Sequence, residues 1–151
     1  YDDVATQNGL MMSPKMWREF ILPRHQRLNA VIKEYDKKIM YHSCGAIYKL
    51  IQPLIVEMGI DVLNPLQPRA KGMDMMHIKG EFGNQVAFHG GIDLQYTLPQ
   101  GTTQEVVDEV QERCQILGKG GGYICTSAHY IQNDAPIENI AALYSAPRNN
   151  F

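Results

Sequence analysis

Apolar positions along this chain change their period several times. Trp17, Phe20, Ile21, Leu28, Val31 and Ile32 recur at roughly helical spacing behind Ser13-Pro14. Serine suits an N-cap there and proline suits the first helical position. Pro23 interrupts the run and predicts a kink or break. Residues 38–42 (KIMYH) form a short strand-like stretch, and Cys44-Gly45 turns the chain into a helix over 46–58 that Gly59 ends. Residues 60–63 make the next strand, followed by a loop holding Pro65 and Pro68. A short helix over about 73–81 precedes a strand over 85–88, whose exit loop is 89–93. Thr102-Thr103 open a long helix over about 104–117, with Val106, Val107, Val110, Cys114 and Leu117 on one face. A last strand at 123–126, an exit loop at 127–134 and a helix from about Pro136 to Tyr144 complete the pattern. The first twelve residues contain no complete strand or helix and read as the loop leaving an earlier strand.

The order is strand then helix, four times over. Such alternation gives an α/β fold built from βαβ units with a parallel sheet and right-handed crossovers. An open doubly wound sheet and part of a barrel both satisfy it. A complete (β/α)₈ barrel takes roughly 250 residues, against 151 here. As a barrel piece the chain would leave strand edges and an inner face uncovered. It would then need its other half, a second copy, or flanking sequence.

Composition is that of an ordinary globular domain, 44% apolar and 20% charged, with net charge −2. This balance gives no reason to expect a nucleic-acid or membrane-surface partner. There is no transmembrane-length apolar run and no secretory leader pattern. The three cysteines, Cys44, Cys114 and Cys125, are an odd number and read as reduced thiols in a cytoplasmic protein.

In either parallel architecture, ligands bind beyond the C-terminal ends of the strands. The expected exit loops there hold Asp2, Asp3 and Gln7; His42, Ser43 and Cys44; Asn64 and Gln67; His89 and Asp93; and His129 and Gln132. The most specific pair is His42-x-Cys44. Residues two apart on a strand share a side, so imidazole and thiolate could bind one metal. Zn²⁺ suits mixed nitrogen and sulfur ligands, and a catalytic zinc uses three protein ligands plus an open position. His129 is the candidate third ligand. The alternative for an isolated His-x-Cys is a core or hydrogen-bonded role. Cys114 and Cys125 look structural, and His25 and His77 read as helix-surface residues. His89 lies at a strand end with no evident partner. Gly90-Gly91 and Gly120-Gly121-Gly122 match no phosphate-loop pattern and read as tight-turn residues.

An ordered series of motifs carries a family resemblance: His42-Ser-Cys-Gly45, Gly59-Ile-Asp-Val-Leu-Asn-Pro-Leu-Gln67, Gly72-Met-Asp74, Lys79-Gly-Glu-Phe-Gly83, Phe88-His-Gly-Gly-Ile-Asp93 and Gly121-Gly-Tyr to His129. Asp2-Asp3, Gln7-Asn-Gly9 and Ser13-Pro14 add to it. Together they resemble the uroporphyrinogen decarboxylase superfamily over essentially the whole chain. The resemblance implies a (β/α)₈ TIM barrel of which this sequence supplies the C-terminal half, with the N-terminal half before Tyr1.

The superfamily has two main chemistries. Decarboxylases remove acetate carboxyls from a tetrapyrrole without a cofactor, using arginines and an aspartate of the N-terminal half. His129 falls on the histidine of their Leu-Gly-His-Gly loop, but its neighbours here are Ala128 and Tyr130. The second branch comprises zinc-dependent, corrinoid-linked methyltransferases of the methylcobamide:coenzyme M type. They hold zinc with a His-x-Cys pair and a later cysteine. His42 and Cys44 match the pair, and the later cysteine falls on His129, a departure from the pattern. This branch implies zinc at His42, Cys44 and His129. It also implies a corrinoid carried by a partner protein and methyl transfer to the thiol of a small-molecule substrate. Asp93, Gln67 and Asp3 are the expected residues serving that chemistry. Asp93 and Gln67 would orient substrate or ligands, and the alternative role for both is loop capping. The competing expectations are a porphyrinogen decarboxylase and an inactive barrel half with a structural role.

Overall fold

A computed structural model describes residues 3–146. It begins with a small antiparallel hairpin, β1 (Ala5–Thr6) and β2 (Gly9–Leu10). These strands of two residues each were not evident in the hydropathy pattern because they are too short to show a period. Helix α1 (Pro14–Met16) follows, with the Ser13 hydroxyl accepting from the Met16 amide as N-cap. A π-helical segment (Trp17–Ile21) separates it from α2 (Leu22–Glu34). Pro23 sits in the first turn of α2, where its missing N–H costs no hydrogen bond. The break expected at Pro23 is therefore absorbed by the wider turn just before it.

The rest alternates strands with helices, two helices following the third of these strands: β3 (Met40–His42), α3 (Tyr48–Val56), β4 (Val62–Leu66), α4 (Met75–Phe82), β5 (Ala87–Ile92), α5 (Thr97–Gln100), α6 (Thr103–Leu117), β6 (Tyr123–Ser127) and α7 (Ile137–Ser145). The four longer strands make one parallel sheet in the order β3-β4-β5-β6. Consecutive strands as neighbours, all parallel and each followed by a helix, are the arrangement of part of a (β/α)₈ barrel.

The two faces of the sheet differ. Tyr41, Leu63 and Phe88 stand in register across β3, β4 and β5, and all three are fully buried beneath the helices. Phe88 pairs in turn with Tyr123 of β6. Ile47, Leu50, Ile51 and Leu54 of the α3 region, Ile78 and Phe82 of α4, and Trp17 extend this core. Val106, Val110, Cys114 and Leu117 of α6 are buried as expected, with Val107 packed at their margin. Alternation along the strands sends Met40, His42, Asn64, His89 and Ile124 to the opposite face. Met40 and Ile124 remain 44% and 48% exposed there.

Three expectations need correcting. Of the apolar run on the first long helix, Trp17 is core and Ile21 and Ile32 pack against it, but Phe20, Leu28 and Val31 are about half exposed. The buried contacts of α2 are Leu22 and Asn29, whose amide donates to the Met58 carbonyl. The second and third parallel strands are longer than their hydropathy implies. β4 runs through Asn64 and Pro65, which lie in a register irregularity between Leu63 and Leu66 where proline removes no ladder bond. β5 runs through His89 and both following glycines, so Gly90 and Gly91 are strand residues and not turn residues. Gly90 adopts φ +103°, and a side chain there would press on Pro65, Leu66 and Ala128. Gly120, Gly121 and Gly122 do form the expected turn, all at positive φ. Finally, His25 is not a surface residue; it is half-buried and edge-on to the Tyr41 ring.

Candidate metal centre

The site is built where β3 and β6 end. In a flat sheet the first and fourth strands would lie about 14 Å apart, three spacings of roughly 4.8 Å. Yet the rings of His42, at the end of β3, and His129, just beyond β6, are 5.5 Å apart between centroids. The sheet therefore curls toward the face opposite the helices, as barrel strands do. The curl brings together the three residues singled out from the sequence. One ligand atom each from His42, Cys44 and His129 lies within 4.8 Å of the other two.

The donor set fits zinc. Tetrahedral coordination at ordinary Zn–N and Zn–S lengths places nitrogen and sulfur about 3.6 Å apart. His42 Nε2 and Cys44 Sγ are 3.7 Å apart. Three protein donors would leave a zinc ion one coordination position for water or substrate, the pattern of a catalytic site, and two of them, His42 and His129, line a cavity. That cavity, of about 300 Å³, is lined by His42, His89, His129, Thr126 and Tyr130 among others.

Neighbouring groups fix the His-x-Cys loop. The Asp3 carboxylate accepts from the Cys44 amide at 2.7 Å and lies 3.7 Å from His42 Nε2. The Ser43 hydroxyl accepts from the Val4 amide, and the Ser43 amide donates to the Asn64 carbonyl. Gln67 Oε1 accepts from the Gly45 amide and from Gln7 Nε2, both at 2.7 Å. Gln67 thus positions the backbone immediately after Cys44. We expect Gln67→Ala to cost about 1–2 kcal/mol, because it strands the Gly45 N–H in a half-buried loop; urea denaturation measures it. Burial, and secondarily the Asp3 charge, push the Cys44 thiol up to about 11. On the other side, the Ser127 hydroxyl donates to the His129 carbonyl at 2.6 Å and anchors that loop.

Asp93 is placed differently. Its carboxylate lies 2.5 Å from Arg69 Nε and accepts from the Gln95 and Thr97 amides. Those are loop-capping and ion-pair contacts, and the structure does not bring Asp93 into the His42, Cys44 and His129 cluster. Asp2 lies outside the described residues. His77 is on the surface of α4, bonded to the Tyr48 hydroxyl. Sequence reading put Asn64 and His89 among the rim residues but gave neither of them a partner. Asn64 Oδ1 is 2.6 Å from His42 Nδ1, and Asn64 Nδ2 is 2.6 Å from His89 Nδ1. The alternation that puts His42 on the inner face would have found them had β4 and β5 been read at full length.

A curled parallel α/β sheet with nitrogen and sulfur donors converging at the carboxyl ends of its strands defines a barrel-type protein with a metal-capable rim. Comparison with known proteins makes this specific. The family model for uroporphyrinogen decarboxylase (URO-D) matches residues 2–149, and the chain belongs to that family. It is also similar to the methylated-thiol–coenzyme M methyltransferase of Methanosarcina mazei, with 29% identity over 136 residues. That alignment covers 90% of this chain and 34% of the relative, so the chain spans about a third of the relative's length. Among the described residues, no helix is long and apolar enough to cross a membrane.

Proposed function

We propose that this chain carries the zinc-binding rim of an enzyme that transfers a methyl group from a methyl-corrinoid to a thiol. The observation that supports it is the convergence of His42, Cys44 and His129 ligand atoms within 4.8 Å. The likeness to a methylated-thiol–coenzyme M methyltransferase adds to it. Zinc bound there would hold a substrate thiol as its thiolate at neutral pH, which makes the sulfur nucleophilic.

The chain's own residues would prepare that position. His42 and Cys44 project from one side of a strand end whose backbone is pinned by Asp3 and Gln67. His129 closes the triangle from the other edge of the sheet. The cavity of about 300 Å³ lined by His42 and His129 would give a small thiol room beside the metal. The methyl donor would approach on a partner protein bearing the corrinoid. The rest of the barrel wall would come from flanking sequence or a second copy, which would cover Met40 and Ile124. Asp93 serves this reading as an anchor for the loop after β5, through its pair with Arg69.

Metal analysis of the natural protein, with whatever flanks residues 1–151, tests the proposal. We expect close to one zinc per chain, with affinity reduced tenfold or more by Cys44→Ser at unchanged circular dichroism. A serine hydroxyl ionises too weakly to replace a thiolate ligand. Metal-free protein that turns over a porphyrinogen, or zinc binding indifferent to Cys44→Ser, would overturn the proposal.

A further inference from the structure

We infer that Asn64 is a one-way hydrogen-bond relay that sets both imidazoles of the inner face. It presents His42 Nε2 to the metal position and an N–H of His89 to a hydrogen-bond acceptor on a small molecule in the rim cavity. The inference rests on the metal reading above for the role of His42, and goes beyond it in assigning Asn64 and His89.

The argument follows from the polarity of an amide. Asn64 Oδ1 can only accept, so the 2.6 Å contact to His42 Nδ1 requires a proton on that nitrogen. A neutral ring protonated at Nδ1 has its lone pair at Nε2, the atom 3.7 Å from Cys44 Sγ. Asn64 Nδ2 can only donate, so His89 Nδ1 must be bare. The His89 proton is then at Nε2. The two rings are held in opposite tautomers by one side chain. Rotating the amide by half a turn would reverse both, leaving His42 Nε2 protonated and unable to ligate. Metal-bound histidines ordinarily donate their second nitrogen to an oxygen acceptor, and Asn64 Oδ1 fills that role here.

His89 has no counterpart to Cys44 beside it. It lines the cavity with Thr126 and Tyr130, and its Nε2–H has no protein partner among the described residues. Burial lowers its pKa, which keeps the ring neutral as the relay demands. A neutral N–H at the cavity wall would donate to an acceptor oxygen on a small molecule held there.

The test uses the natural protein labelled with ¹⁵N in its histidines. Long-range proton–nitrogen spectra of the metal-free protein at mildly alkaline pH should show His42 protonated at Nδ1 and His89 at Nε2. In Asn64→Asp the carboxylate only accepts, so His89 should switch to Nδ1–H while His42 keeps its tautomer and Zn²⁺ affinity does not fall. In Asn64→Leu both constraints vanish, and Zn²⁺ affinity measured against a competing chelator should fall about 10–100-fold. His89→Phe should weaken mercaptoacetate binding about tenfold while leaving the nearly isosteric 2-methylpropane-1-thiol unchanged. The same tautomer on both rings of the wild-type protein, or equal zinc affinity in Asn64→Leu, overturns the relay. Equal loss for both thiols overturns the His89 assignment. Absence of zinc binding in the wild type would instead sink the metal reading, while the metal-free spectra would still decide the relay.

Discussion

Gly45→Ala is expected to lower stability by on the order of 2–5 kcal/mol and to loosen the His42-x-Cys44 loop with it. Two independent constraints meet at this position. Its φ is +91°, a backbone conformation that a side chain makes costly. A Cβ there would also lie 2.6 Å from the Thr6 carbonyl oxygen and 2.9 Å from its carbon. The obstacle is backbone, so no rotamer change relieves it. The hairpin cannot retreat cheaply either, because the Ala46 amide donates to that same Thr6 carbonyl and Asp3 holds the Cys44 amide. Relief must come from moving the loop, which displaces the Cys44 sulfur. We expect a lower urea midpoint and weaker zinc binding together. Gly9→Ala is the matched control, since Gly9 has ordinary backbone angles and open space where a methyl group would go. Equal behaviour of the two variants would show that the glycine at 45 is incidental.

Zinc affinity should rise about a hundredfold between about pH 7.5 and about pH 9.5. Burial first, and then the Asp3 charge, hold the Cys44 thiol up to about 11. Throughout that window the metal-free thiol is protonated, and coordination as a thiolate must release that proton. One proton released per ion gives about tenfold in apparent affinity per pH unit, and the gain levels off as pH passes the thiol's own value. Chelator competition across the window, corrected for the chelator's own protonation, measures the slope. A flat profile would exclude Cys44 as a ligand. Asp3→Asn should bring the plateau to lower pH, since it removes the second cause of the shift while an amide oxygen can still accept from the Cys44 N–H.

Much of this could be read from the residues alone. The alternation of strand and helix is legible because helices such as α6 bury a clear stripe, Val106, Val110, Cys114 and Leu117. His42 and Cys44 could be paired because a strand places alternate residues on one side. What stayed hidden has specific causes. Pro65, Gly90 and Gly91 resemble turn punctuation, but they lie in strands, at an irregular register in β4 and at positive φ in β5. Cutting the strands short there left Asn64 and His89 in exit loops, with no face and no partner assigned to either. Asp93 was expected at the site from its place in an exit loop and from the family resemblance, with loop capping as the alternative. Its pairing with Arg69 is a tertiary contact across 24 positions that no local pattern records. The exposed stripe of Phe20, Leu28 and Val31 shows the opposite limit, since periodicity marks an apolar face without saying what covers it.

The curl of the sheet makes the triangle of ligand atoms behave as a chord drawn across an arc. Its length depends on the angle between every pair of adjacent strands, so small changes in tilt add up across three junctions. The aromatic and aliphatic row of Tyr41, Leu63 and Phe88 wedges the convex side and sets those angles from beneath the helices. Trimming any one of these side chains would let the arc flatten and the chord lengthen, pulling His129 away from Cys44 although none of the three residues belongs to the ligand triangle.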